Sequence, residues 1–109
     1  MDRLKALLSF YKEDSDDAFT RFAIASEYLK RGNKAEALSF FEHLVQDNPS
    51  YVGTYYHLGK LYELLDRKAE AIRTYESGIR MANELKDLHA RAELQDALLA
   101  AQGIGFEDE

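Results

Sequence analysis

Cysteine and tryptophan are absent from this 109-residue chain, and proline occurs once, at Pro49. Without cysteine there are no disulfides, no thiolate zinc sites and no cysteine nucleophiles. The absence fits a reducing cytoplasm. One proline and few glycines permit long helices almost everywhere. The six glycines are scattered singly, so no glycine-rich loop can cradle a nucleotide, and no nucleophile elbow occurs. Long apolar runs are missing too, which gives no candidate signal peptide and no candidate membrane span. Strand signals and low-complexity linkers are likewise lacking.

Charge of one sign is absent where it would matter most. The net charge is −6, yet residues 18–85 carry nine acids and nine bases. The excess sits at the ends, in Glu13, Asp14, Asp16 and Asp17, then in Glu107, Asp108 and Glu109. With no basic stripe to neutralise phosphates, nucleic acid is not an expected partner. The histidines are His43, His57 and His89, and no two share a helical turn. A metal site would need carboxylates drawn from distant turns, so none is expected. The Asp14–Asp17 run lacks the central glycine and closing glutamate of a calcium loop and reads as helix capping. No cofactor is expected, and nothing points to an enzyme.

What the chain does contain is a repeat. Lys34-Ala-Glu-Ala-Leu-Ser-Phe-Phe-Glu42 returns thirty-four residues later as Lys68-Ala-Glu-Ala-Ile-Arg-Thr-Tyr-Glu76. At the same offset Ile24, Ala25, Tyr28 and Val45 correspond to Leu58, Gly59, Tyr62 and Ile79. Such a period means one supersecondary unit stacked on a copy of itself.

Apolar spacing and stop signals predict six helices. The first covers about residues 2–12, with Leu4, Leu7, Leu8 and Tyr11 on one stripe. Ser15, Asp16 or Asp17 caps the second, which stops at Gly32-Asn33. The third runs over about 34–46 and ends before Pro49. Ser50 caps the fourth, about 51–65, and Asp66 then stands where the first copy has Gly32, a site suited to positive φ. The fifth covers about 68–85, and Asp87 caps a sixth that ends near Gln102. Small residues opposite aromatics should interdigitate the paired helices: Ala25 and Ala37 beside Tyr28 and Phe41, Gly59 and Ala71 beside Tyr62 and Tyr75.

Tyr55-x-x-Leu58-Gly59-x-x-Tyr62 followed by Ala71-x-x-x-Tyr75 resembles the tetratricopeptide repeat, with Tyr55 where tryptophan is usual. The first copy matches through Ile24-Ala25-x-x-Tyr28, Ala37-x-x-x-Phe41 and Pro49, with Arg21 replacing the leading aromatic. Gly78 and Asn83 depart from the usual alanine and proline. The resemblance implies an all-α, right-handed antiparallel helix-turn-helix solenoid of about six helices in a single domain, 1–109. Its parts would be a half-repeat helix at 1–14, repeats at 18–51 and 52–85, a capping helix at 87–102 and a flexible acidic tail at 103–109.

The resemblance also implies a protein or peptide partner held on the concave side as an extended segment or a helix. Groove positions would be Phe19, Phe22, Ser26, Leu29 and Lys30 in the first copy. In the second they would be Gly53, Tyr56, Lys60, Glu63 and Leu64, with His57 at the margin. Tyr56 and Phe22 would serve as aromatic anchors, with packing in the core as the competing role; Lys60 would offer a charge. The lysines and asparagines that grip chaperone-tail carboxylates in some members are replaced here by Phe22, Ser26 and His57. The alternative function is structural self-association, as a weak homodimer or assembly through the sixth helix. Its apolar residues form two arcs, Leu88, Ala92 and Leu99 on one and Leu94, Leu98 and Ala101 on the other. The tail brings Ile104 and Phe106 together with acids, and could visit the Tyr56–Lys60 groove.

Overall fold

A computed structural model describes residues 2–103, and among them every regular element is an α-helix. The tail beyond Gly103 lies outside the described residues. Two compact units are present, the first ending at Tyr51 and the second beginning at Val52.

The first unit holds α1 (Arg3–Glu13), α2 (Ala18–Lys30) and α3 (Lys34–Asp47). The Asp17 carboxylate caps α2, accepting from the Thr20 backbone N–H at 2.9 Å. Those bonds hold the Asp17 carboxyl below its usual range. Leu7, Ala23 and Ile24 are buried together, with Leu4, Leu8, Tyr11, Tyr28 and Phe40 packed on them. Ala25, Ala37, Phe41 and Leu44 are fully enclosed. Tyr28 reaches the Phe40 ring at 6.0 Å, while Phe41 takes the edge of Phe22 at 5.9 Å. Glu27 is buried between two cations, Arg3 at 3.3 Å and Arg31 at 3.2 Å, and Arg31 also bonds Asp2. This ties the start of α1 to the end of α2.

Arg21 occupies the position of the missing aromatic and is only 6% exposed. Its guanidinium bonds Asp47 at 2.7 Å and Asn48 at 3.3 Å, linking the start of α2 to the end of α3. Its Nε is buried with no acceptor.

The second unit holds α4 (Gly53–Leu64), α5 (Lys68–Leu85) and α6 (Leu88–Gln102). Gly59 admits the Tyr75 ring so closely that an added Cβ would fall inside it. Tyr75 is fully buried and its hydroxyl donates to the Glu63 carboxylate. Burial first, then this carboxylate, push the phenol well above its ordinary range. Arg67 lies over Tyr62 at 4.9 Å and bonds Glu70 at 2.7 Å. Asp87 caps α6 by accepting from the Ala90 N–H at 3.0 Å.

The same turn closes α2, α4 and α5. A residue at positive φ stands at Gly32, Asp66 and Lys86. The following N–H reaches back five residues in each case: Asn33 to Tyr28, Arg67 to Tyr62 and Asp87 to Ala82, all at 2.8–2.9 Å. This is the left-handed ending that satisfies orphan helix carbonyls.

One expectation is corrected. Ser50 does not cap α4; Val52 is the N-cap, without any side-chain bond. Pro49 and Ser50 instead form a turn closed by the Tyr51 N–H on the Asn48 carbonyl at 3.0 Å. Tyr51 is thereby left outside the helix, its ring against Phe22 at 5.7 Å. On the sixth helix the two apolar arcs differ in burial. Leu94, Ala97 and Ala101 are buried, whereas Leu88 and Leu99 remain 65% and 43% exposed.

Candidate functional site

The expected groove residues meet different fates. Phe22 is half-buried and committed to Phe41 and Tyr51 in the core of the first unit. Ser26 and Leu29 are half-buried, Lys30 is exposed, and Phe19 is 62% exposed. In the second unit Glu63 is occupied by the Tyr75 hydroxyl. Leu64 is 63% exposed, and nothing lies within 4 Å of a Cβ added at Gly53.

Tyr56, His57 and Lys60 come together. The Lys60 ammonium stands 5.6 Å from the Tyr56 ring centroid, and the His57 ring meets that ring edge-on at 5.5 Å. The two side chains one helical turn apart project on the same side of α4 because 56 and 60 are i and i+4. Loss of hydration holds the His57 imidazole below its usual pKa, against the opposing pull of Glu93.

Opposite them runs one face of α6. Glu93, Asp96, Ala97 and Ala100 complete, with Tyr56 and Lys60, a hollow of about 340 Å³. The alanines leave space at the wall where longer side chains would fill it. Glu93 is 3.3 Å from His89, a pair that is ionic only when His89 is protonated. The α6 residues were not among the expected site positions. Their spacing of 93, 96, 97 and 100 marks a single helical face beside the buried stripe, and that was the available signal.

A second hollow, about 410 Å³, lies in the first unit among Tyr11, Arg21, Ser39, Phe40, His43 and Asp47. Its one cation is held by Asp47 and Asn48. Among the described residues no three His, Asp or Glu side chains gather as metal ligands. No helix among them is long and apolar enough to cross a membrane.

Comparison with known proteins bears on this arrangement. A tetratricopeptide repeat family model matches residues 52–85. The crystal structure of a tetratricopeptide repeat domain protein from Salinibacter ruber shares 56% identity, covering 80% of this chain and 97% of that one, with a TM-score of 0.77. The chain belongs to the tetratricopeptide repeat domain proteins. A solution structure under the same description from Salinibacter ruber gives 52% identity, 88% and 97% coverage and a TM-score of 0.80. A Bordetella parapertussis protein, 22% identical over 94% of this chain and 89% of that one, shares the fold with a TM-score of 0.80. Among curated proteins there is no match. The fold is therefore an all-α helical repeat, the architecture of a protein–protein interaction module, a class generally scaffolding rather than enzymatic.

Proposed function

We propose that this tetratricopeptide repeat chain holds an extended peptide or a helix of another protein, anchored in the α4–α6 hollow of its second unit. One observation carries this reading. Tyr56, with Lys60 beside it, borders an open cavity, whereas its counterpart Phe22 is spent on Phe41 and Tyr51. A half-buried aromatic beside an open cavity gives contact area at low entropy cost. Residues 18–51 and 52–85 act as the two repeats, flanked by the helices at 1–14 and 87–102. Affinity is modest, since two repeats present a short surface. The role is that of a non-enzymatic scaffold working in the cytoplasm. Loss of peptide binding in Tyr56→Ala, with a melting temperature within a few degrees of wild type, supports the reading; retained binding overturns it.

A second reading, self-association, rests on a different observation. Leu85, Leu88 and Leu99 stay 47%, 65% and 43% exposed at the end of α5 and on α6. Sedimentation over a concentration series tests it. A monomer at every concentration dismisses it, and a dimer lost in Leu88→Glu supports it.

A further inference from the structure

The hollow in the second unit carries an excess of negative charge, although α4 by itself presents a cation. Lys60 brings one positive charge, and Glu93 and Asp96 bring two negative ones. Lys60 is directed over the Tyr56 ring, and no ion pair within 4.0 Å joins it to either acid. Glu93 meets the highly exposed His89 at 3.3 Å, a contact that leaves the carboxylate open to solvent. The acids are three residues apart on α6, so both carboxylates stand on the same side of that helix. The small side chains of Ala97 and Ala100 leave the intervening space open.

We infer that the partner segment inserts an arginine or lysine between the Tyr56 ring and the Glu93–Asp96 pair, flanked by small apolar residues against the alanines. The inference rests on the proposed use of this hollow and adds the chemistry of its occupant. A planar guanidinium stacks on the phenol and can bond a carboxylate with two N–H groups, so arginine fits better than lysine. Lys60, exposed and on a flexible stem, yields the ring face and turns to a carboxylate or backbone carbonyl of the partner. An acidic segment meets two carboxylates of like sign and only one cation. That disfavours the chain's own Glu107–Glu109 as occupant, along with acidic tails in general.

The test is a display selection of random twelve-residue peptides on the full chain, with counter-selection on Tyr56→Ala. Tyr56-dependent binders enriched in arginine or lysine at one position are expected. Synthetic versions should lose about tenfold or more in affinity on Asp96→Lys and also on replacing that basic residue by glutamine. Tyr56-dependent binders that are acidic or neutral overturn the charge assignment while leaving the hollow as the site. Failure to recover any Tyr56-dependent binder overturns both. Glu93 and Asp96 are exposed, so these variants should fold, and a circular dichroism melt checks it.

Discussion

Gly78 of α5 lies directly against Tyr55 of α4. A Cβ added at 78 would come within 2.6 Å of the Tyr55 Cβ and 2.9 Å of Leu94 Cδ1 on α6. Both neighbours are buried and cannot swing aside. Gly78→Ala, which restores the residue usual in the family, should therefore destabilise the chain by about 1–3 kcal/mol, despite the better helix propensity of alanine. Chemical denaturation measures it; a stabilised variant would mean that α6 does not pack as described.

Tyr75 and Glu63 give a pH dependence. The Tyr75 phenol is shifted upward when folded, so its neutral form belongs to the native state. Its contribution is complete below the unfolded value near 10 and is lost as pH climbs toward the folded value. Tyr51 and Tyr55 are shifted the same way, chiefly by burial. The melting temperature should fall from about pH 10 upward, and less steeply in Tyr75→Phe. At neutral pH the same substitution should cost about 1–2 kcal/mol for the lost hydroxyl–carboxylate bond.

Arg21 and Asp47 are unequal partners. The Arg21 side chain is 7% exposed and that of Asp47 54%. Removing the arginine leaves a carboxylate that water can solvate, whereas removing the aspartate leaves a buried guanidinium with less compensation. Arg21→Met should cost under about 1 kcal/mol, and Asp47→Ala about 2 kcal/mol or more. The reverse order in urea titrations would contradict this account of the pair.

Asp66 and Lys86 adopt φ of 60° and 59°, the conformation that Gly32 takes freely. Replacing either by glycine should relieve strain and raise stability by up to about 1 kcal/mol, the gain offset in part by unfolded-chain entropy. Thermal melts of the two single variants check it.

The helix ends show how far the sequence could be read. Asp17 and Asp87 cap as expected because each is followed three residues later by an N–H within reach of its short carboxylate. Asp66 was legible through its offset from Gly32. Lys86 was not, since lysine carries no preference for positive φ. Ser50 has capping chemistry but loses to Tyr51, whose ring is drawn onto Phe22. The site was half legible. Tyr56 and Lys60 follow from the repeat register, but which acids face them depends on how α6 settles on α5. Two apolar arcs compete for that seat, and the small Gly78 selects the arc carrying Leu94.

The central claim, that the α4–α6 hollow is where another chain docks, is tested most directly by amide chemical-shift mapping with a selected peptide. The account predicts the largest shifts at Tyr56, Lys60, Asp96 and Ala100, with Leu88 and Phe22 little changed. Shifts centred on Leu88 and Leu99, with Tyr56 and Asp96 silent, would contradict it.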